Sequence, residues 1–178
     1  MAKFAERQSI DMTILEQHTL TEAQLAYLVG LMKELSPDSE PDPKKIRRAA
    51  ACPATHLFAV VDDGGDCGGS DGVAREVAGG DRDGAASGGR IVGCASLCVF
   101  ESPTGRKAHI EDVVISSACR GQHLGRALLE HILGYARENL TPIDVHLTSR
   151  PARVAANSLY RTLGFEQRDT NVYRLIIK

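Results

Sequence analysis

The chain has 178 residues, of which 43% are hydrophobic and 25% are charged, and its formal net charge is -2. This length suits one domain, and the composition excludes a disordered or fibrous chain. The small net charge gives no overall attraction to nucleic acid, and no apolar run reaches the roughly 20 residues needed to cross a bilayer. We therefore expect a single globular domain over residues 1–178, located in the cytoplasm, with neither nucleic acid nor a membrane as a partner.

The cysteine pattern argues against both a disulfide framework and a metal site. The chain has five cysteines, an odd number, and no two of them form a CxxC pair. Metal sites and disulfide-rich domains normally show paired cysteines at short spacings. We therefore predict reduced thiols and no bound metal at Cys52, Cys67, Cys94, Cys98 and Cys119.

The part of the chain before residue 63 predicts two strands separated by two helices. Thr21, followed three residues later by Gln24, is a capping-box start for the first helix, which should end at Ser36-Pro37. Pro43 suits the first turn of the second helix, because the N–H that proline lacks would have no partner there. The apolar patterns place strand, helix, helix and strand at residues 11–17, 21–35, 43–51 and 56–62.

A glycine-rich segment over residues 63–89 interrupts these elements. It contains ten glycines, and Asp, Ser and Ala fill most of its other positions. Such a composition cannot bury enough apolar surface to offset the chain entropy lost on ordering. The phosphate-binding pattern GxxxxGK[ST] is missing from it. We predict a disordered insertion that joins two strands of a hairpin.

The rest of the chain predicts a mixed α/β sheet. Residues 90–100 and 108–116 have the sequence patterns of strands, and Ser102-Pro103-Thr104-Gly105 between them is a turn signal, so the two strands should form an antiparallel hairpin. A strand, a helix and a strand over residues 108–149 require a parallel pair joined by a right-handed crossover. The further elements are predicted as a helix at 123–139, a strand at 143–149, a helix at 151–163 and strands at 165–168 and 172–177.

The junction between the strand at 108–116 and the helix that follows it has the features of an anion site. A helix N-terminus presents N–H groups without intrahelical partners, and its dipole attracts negative charge. Gly121 and Gly125 allow phosphate oxygens to approach the main chain, and Arg120 and Arg126 could add positive charge. The junction therefore predicts a pyrophosphate-binding loop.

Two motifs resemble those of the GCN5-related N-acetyltransferase (GNAT) superfamily. Arg120-x-x-His123-x-Gly125, after the strand HIEDVVIS, is similar to its motif A, R/Q-x-x-G-x-G/A, and AANSLYRTLGF at 155–165 resembles its later helix, which bears a tyrosine and ends in Gly-Phe. The resemblance implies the GNAT fold, with a mixed, centrally splayed sheet of about six to seven strands flanked by about four helices. It also implies an acyltransferase that uses acetyl-CoA as co-substrate to acetylate an amine, and it leaves a homodimer open.

The resemblance also implies which residues bind acetyl-CoA. The strand should splay from its parallel neighbour, so that backbone groups of Val113, Val114 and Ile115 pair with the pantetheine arm as another strand would. The loop after it should hold the pyrophosphate. Its predicted residues are Arg120, Gly121, Gln122, His123, Leu124, Gly125 and Arg126.

Two positions depart from the family pattern. His123 stands where the superfamily usually has glycine, close to the phosphates. Arg153 stands where many members carry an asparagine that bonds the cofactor arm. Either Asn157 or Ser158 could supply that hydrogen bond instead, or Arg153 could reach the CoA phosphates, and these alternatives stay open.

Glu111 and Tyr160 are the predicted catalytic residues. An acidic residue on the splayed strand can serve as general base, often through a water molecule, and Glu111 is the first candidate. His109, two residues away on the same face, is an alternative, and so is Asp112 if a bulge reverses the alternation. Tyr160, four residues before Gly164, stands where the family has the tyrosine that protonates the departing CoA thiolate.

The acceptor is the least defined part of the prediction. We expect a small-molecule amine that attacks directly in a ternary complex, since HIEDV before the loop also resembles glucosamine-phosphate N-acetyltransferases. A peptide or protein N-terminus is an alternative, although relatives of that kind have a glutamate where this chain has Thr148. A third reading is an inactive module that binds acyl-CoA.

Overall fold

The computed structural model describes residues 12–63 and 89–177. These form two compact units, Met1–Leu147 and Thr148–Lys178, each with its own elements. The predicted insertion lies outside the described residues except for Asp63 and Gly89, so its disorder stays a prediction. The assignment of the whole chain to one domain also stays a prediction.

The first unit contains a five-stranded mixed sheet with the strand order β1-β2-β3-β4-β5. Neighbouring strands are antiparallel except β4 and β5, which are parallel, as the predicted crossover requires. The mixed α/β class is therefore confirmed. The strands are β1 (Met12–Gln17), β2 (Thr55–Asp62), β3 (Arg90–Ser102), β4 (Gly105–Ile115) and β5 (Asp144–Leu147).

Two of the three helices of this unit begin at a residue whose side chain caps them. Thr21 caps α1 (Glu22–Leu35), and the reciprocal bonds with Gln24 form a complete capping box. Asp42 caps α2 (Pro43–Ala50) by accepting a bond from the Lys44 N–H. The long amphipathic helix α3 (Leu124–Asn139) connects β4 to β5.

Helices cover both faces of the sheet, as the side chains of β2 demonstrate. Leu57, Ala59 and Val61 join a buried cluster with the leucines of α1, and Ala50 of α2 belongs to the same cluster. Phe58 alternates to the opposite face, where its ring contacts two aromatic side chains of α3. The face with α1 and α2 is therefore distinct from the face with α3.

The pairing of β4 with β5 is short, which produces the predicted splay. The two strands pair from Lys107 opposite Asp144 to Ile110 opposite Leu147. β4 then continues to Ile115, still paired with β3 on its other side. Within the described residues of the first unit, no strand pairs with the β5-facing edge of β4 beyond Ile110.

A β-bulge interrupts β4 at the point where the splay begins. The register with β3 shifts between Cys94 and Ser96, and Asp112 adopts a left-handed conformation with φ 55°. An extra residue at such a bulge reverses the alternation of the side chains that follow it. The bulge that the sequence analysis required for Asp112 to share a face with Glu111 is therefore present.

The second unit contains one helix, α4 (Val154–Thr162), and the strands predicted at 165–168 and 172–177 are wrong. Their sequences favour extended structure, but a strand is stable only when a partner satisfies its backbone groups, and none is paired here. Five large apolar side chains of the last segment are instead exposed: Val172, Tyr173, Leu175, Ile176 and Ile177. The expected six to seven strands are thus five within the described residues.

Candidate active site

β4 carries two titratable side chains on its α1–α2 face. Glu111 lies opposite Ser96 of β3, and His109 lies opposite Cys98, so both point to that side of the sheet. His109 Nδ1 and Glu111 Oε1 are 2.9 Å apart, which is ion-pair distance, although their orientation is not that of a hydrogen bond. About half of the Glu111 side chain is exposed, at 51%. The structure therefore brings together two of the three candidate bases.

Asp112, the third candidate base, follows Glu111 at the bulge. Desolvation raises the pKa of the Asp112 carboxyl, and the negative charge of Glu111 raises this pKa further. A carboxyl with a raised pKa accepts a proton more readily than an ordinary aspartate. The pair of adjacent carboxyl groups can therefore hold a cation or accept a proton.

The thiols near this face are neutral. Burial, reinforced by the charge of Asp112, raises the pKa of Cys94 to about 12. Burial also raises the pKa of Cys98, and Glu111 and Asp112 add to that rise. Because the thiolate is the reactive form, neither cysteine has the environment of a nucleophile.

The predicted phosphate loop connects β4 to α3 and contains two left-handed residues. Gly121 has φ 82° and His123, the N-cap of α3, has φ 60°. The first turn closes when the N–H groups of Arg126 and Ala127 donate to His123 O, so the earlier N–H groups of Leu124 and Gly125 belong to the open end of the helix. His123 is exposed and makes no capping bond through its side chain. The backbone of this position suits glycine, which explains the usual family residue there.

The arginines of the loop are held near its backbone. Arg120 Nε donates to Ile115 O at 3.3 Å, and its side chain is 62% exposed. Arg126 pairs with Glu130 one turn along α3, at 3.2 Å. Gln122 lies between these two arginines in the chain, and its side chain is half-buried. Both guanidinium groups therefore lie near the N-terminus of α3, and each has a carboxylate within ion-pair distance.

Glu34, which the sequence did not single out, ties α1 to this loop. Its carboxylate accepts a bond from the Ser117 N–H at 2.8 Å and another from the Ser116 hydroxyl at 3.4 Å. The same carboxylate lies 3.8 Å from the guanidinium of Arg120. An acidic residue in the last turn of a helix is disfavoured by the helix dipole, and this local conflict was the available signal for a tertiary role.

The edge of β4 beyond the bulge offers backbone groups for a ligand. Val114 and Ile115 face Cys94 and Gly93 of β3, which leaves the opposite edge of Val113, Val114 and Ile115 towards the splay. The loop with its helix N-terminus directly follows this edge. Extended amide chains bind such edges, and phosphates bind such helix ends, so this part of the first unit fits acetyl-CoA.

The second unit contains the other two predicted site residues. Tyr160 of α4 is 7% exposed, and its ring meets that of Phe165 edge to face at 6.0 Å. Desolvation raises the pKa of Tyr160, with Arg153 acting in the opposite direction. Asn157 Nδ2 donates to Arg150 O at 2.9 Å, so this amide has a structural contact ahead of α4. The catalytic role of Tyr160 and the cofactor role of Asn157 stay predictions.

The described residues give no indication of a metal site or of a membrane-spanning helix. No group of three or more His, Cys, Asp and Glu side chains there is arranged to hold a metal ion. Among the described helices, none has the length and apolar character to span a bilayer.

Residues 75–165 match the sequence profile of a family described as the acetyltransferase (GNAT) family. The match covers just over half of the 178 residues. It includes β3, β4, the phosphate loop and α4.

Two curated proteins are similar over the same part of the chain. N-acetyltransferase family 8 member 2 of Rattus norvegicus is 39% identical over 85 residues, which are 47% of this chain and 37% of that protein. N-alpha-acetyltransferase RimI of Mycobacterium tuberculosis is 32% identical over 84 residues, which are 47% of this chain and 51% of that protein. The match therefore spans about half or less of each relative's length.

Solved structures share the fold at low sequence identity. The aminoglycoside N-acetyltransferase AAC(6')-Iy in complex with CoA has a TM-score of 0.66 at 13% identity, covering 97% of this chain and 99% of that chain. At this identity the similarity concerns the fold.

Proposed function

Because the chain belongs to the acetyltransferase (GNAT) family, we propose that it is an N-acetyltransferase that moves the acetyl group of acetyl-CoA to a primary amine of a small molecule. The observation that carries this proposal is the edge of Val113–Ile115, which pairs with no strand among the described residues of the first unit and leads directly into the loop before α3. That arrangement presents backbone groups for the pantetheine arm and a helix N-terminus for the pyrophosphate. The CoA named with the similar aminoglycoside enzyme supports it.

The proposed chemistry is direct attack by the amine. Acetyl-CoA supplies an acyl group that is already activated as a thioester. The chain has to orient a neutral amine against this carbonyl and to remove one proton. Glu111 accepts that proton through a water molecule, and a backbone N–H of the splayed strand stabilises the negative charge on the carbonyl oxygen.

Tyr160 donates the proton that the leaving sulfur needs. A phenol with the ordinary tyrosine pKa near 10 is protonated at neutral pH, and desolvation raises the pKa of Tyr160 further, so the proton is present when the sulfur departs. Together with Glu111, it makes one acid and one base that balance the proton transfers. No covalent acyl-enzyme is needed in this scheme.

A second acceptor class is an N-terminal amine of a peptide or protein. It is favoured by the similarity to RimI, which is named an N-alpha-acetyltransferase. A third candidate is an inactive module that binds acyl-CoA without turnover. The two transferase readings share the cofactor chemistry and differ only in the acceptor.

The proposal is tested with an acetyl-CoA-dependent screen that measures thiol release over amines, amino sugars, polyamines and peptides. We expect CoA and acetyl-CoA to raise the melting temperature, because a ligand of the native state stabilises it by mass action. We expect at least one amine to release CoA thiol. Stabilisation without turnover on any amine would favour the inactive module, and no stabilisation at millimolar CoA would contradict cofactor binding.

The role of Glu111 is tested by Glu111→Gln in the same assay. We expect turnover to fall most at low pH, where the amine is mostly protonated and depends most on the base. His109→Ala and Asp112→Asn are the comparison variants. If either of these abolishes turnover while Glu111→Gln does not, the base is that residue and not Glu111.

A further inference from the structure

A small pocket opens beside the bulge of β4, between the sheet and the two helices that cover this face. Leu28 and Met32 of α1, Ile46 of α2 and Leu57 of β2 form much of its wall, and Asp112 also lines it. We call it the α1–α2 pocket. All of its residues belong to the first unit.

The lining of the α1–α2 pocket is mostly apolar. Leu28 and Leu57, which we call its base, are buried members of the hydrophobic cluster. Its only polar lining residues besides the Cys94 thiol are Ser96 and Asp112. Because the raised pKa of Cys94 keeps that thiol neutral, Asp112 is the one residue of the lining whose side chain is a carboxyl group.

The charged end of the pocket lies next to the proposed site of reaction. Asp112 directly precedes Val113, the first residue of the edge assigned to the pantetheine arm. It is an exposed residue, whereas the leucines at the base are buried. A ligand that fills the apolar base therefore places its charged or polar end towards β4.

We propose that the acceptor is a primary amine with a short alkyl group, which occupies the α1–α2 pocket while the amine lies at the Asp112 carboxylate. This rests on the proposed acetyl transfer. An amine hydrogen-bonds to the one carboxyl group that lines the pocket, and the alkyl group replaces water against apolar side chains. A sugar ring placed there would bury hydroxyl groups with few hydrogen-bond partners, which is unfavourable.

The size of the α1–α2 pocket sets the length of the alkyl group. Its volume is about 50 Å³. An engineered apolar cavity of roughly 150 Å³ holds a benzene ring, so a pocket of about a third of that volume suits a few carbon atoms. Propyl or isobutyl groups fit this description, and aromatic rings do not.

The first test compares kcat/KM for methylamine, isobutylamine and glucosamine 6-phosphate with acetyl-CoA. We expect isobutylamine to exceed methylamine by about 10-fold or more, because each methylene in an apolar pocket contributes about that factor. Equal values for the two amines, or the highest value for glucosamine 6-phosphate, would overturn the inference. Absence of thiol release with every amine and peptide would instead contradict the proposed transfer itself.

Two peptides distinguish the source of the alkylamine. A pentapeptide that begins with Val presents the same branched alkyl group beside its N-terminal amine, and one that begins with Gly lacks it. If kcat/KM is higher for the Val peptide than for both the Gly peptide and isobutylamine, the pocket is supported with a peptide as acceptor. Higher values for isobutylamine support it with a small-molecule acceptor.

The second test fills the α1–α2 pocket. Ala49 of α2 lines it, whereas Ala51, two residues later, is exposed at the end of the helix. We expect Ala49→Leu to lower kcat/KM for isobutylamine by about 10-fold, to affect methylamine by less than about 2-fold, and to leave CoA binding unchanged. Ala51→Leu should change none of these. An equal effect of Ala49→Leu on both amines would overturn the inference. If Ala49→Leu does not fold, the first test, which compares the amines on the unaltered chain, decides the inference.

Discussion

At the scale of single residues, the bulge of β4 determines the electrostatics of the candidate site. Glu111 and Asp112 are consecutive, and in a regular strand their side chains would point to opposite faces. The left-handed conformation of Asp112 brings both carboxyl groups to the α1–α2 face instead. The desolvation of Asp112 raises the pKa of its carboxyl group, and the negative charge of Glu111 raises this pKa further.

The raised pKa of Asp112 predicts how stability depends on pH. A carboxyl whose pKa is higher in the folded than in the unfolded chain binds its proton more tightly when folded. The folded state therefore loses stability as the pH rises from the ordinary aspartate pKa through the raised value. Asp112→Asn cannot ionise, and asparagine tolerates the left-handed conformation.

We therefore expect Asp112→Asn to melt at a higher temperature than the unaltered chain at pH 7, with the difference disappearing near pH 3. Thermal melts over pH 3 to 8 measure this. Asp169→Asn, at an exposed position of the second unit, is the matched control. A lower melting temperature for Asp112→Asn at pH 7, together with equal values at pH 3, would mean that the fold stabilises the carboxylate.

Tyr160→Phe tests the proposed acid, since it removes only the hydroxyl and keeps the ring that meets Phe165. If protonation of sulfur limits the rate, we expect kcat to fall by about 10²-fold to 10⁴-fold, with nearly unchanged CoA affinity. Tyr173→Phe is the matched control, because that tyrosine is 89% exposed in the same unit. Full turnover of Tyr160→Phe would show that the leaving sulfur needs no acid from this residue.

At the scale of elements, the phosphate loop is anchored at both ends by different helices. α3 begins at the end of the loop, and the last turn of α1 reaches the start of the loop through Glu34. The carboxylate of Glu34 meets the N–H of Ser117 at the start of a single turn of 3₁₀ helix, Ser117–Cys119. An anion at such an N-terminus satisfies a donor that has no partner within the turn.

Glu34→Ala should loosen this loop. Hydrogen bonds to a charged group contribute about 1.5–3 kcal/mol, so we expect the free energy of unfolding to fall by about 1–3 kcal/mol. Hydrogen exchange of the amides at 116–121 should become faster. Lys33→Ala, its exposed neighbour, should change stability by less than about 0.5 kcal/mol. Unchanged exchange at 116–121 in Glu34→Ala would contradict the anchoring role.

At the scale of the whole molecule, the glycine-rich segment is bounded by a closed hairpin end. Asp62 of β2 pairs with Arg90 of β3, so the two ends of this segment lie at one place. Asp63 and Gly89 follow as the next residues outward. A side chain at Gly89 would collide with Val61, so this glycine is needed whatever lies between the strands.

Replacing residues 64–88 with Asn-Gly should preserve the fold and CoA binding. Asn-Gly is the preferred two-residue hairpin turn, and Asp63 and Gly89 would be the last pair before it. Shortening a loop lowers the entropic cost of closing it by about 0.6 kcal/mol for each halving, so we expect stability to rise by about 2 kcal/mol in denaturant titrations. The same deletion with Gly89→Val should lose this gain. Loss of CoA binding in the simple deletion would mean that the segment belongs to the site.

Local signals in the sequence predicted most elements because the forces behind them act over one or two turns. The capping box at Thr21, the proline at Pro43 and the turn before Gly105 each specify a nearby backbone conformation, and the structure places a helix or turn at each. The strands expected at 165–168 and 172–177 failed for the opposite reason. Their propensity is local, but pairing requires a partner from elsewhere in the chain.

The sequence by itself determined the α/β class, the order of the elements up to α4 and the family, because periodicity, caps and the Arg120–Gly125 motif are carried by adjacent residues. Only the tertiary structure decided that Asp112 joins Glu111 on one face, that Glu34 reaches Ser117, and that a pocket ends at Asp112. Each of these depends on the register between β3 and β4 or on how α1 and α2 pack on the sheet. Such relations join residues far apart in the chain, and no local pattern of side chains encodes their distances.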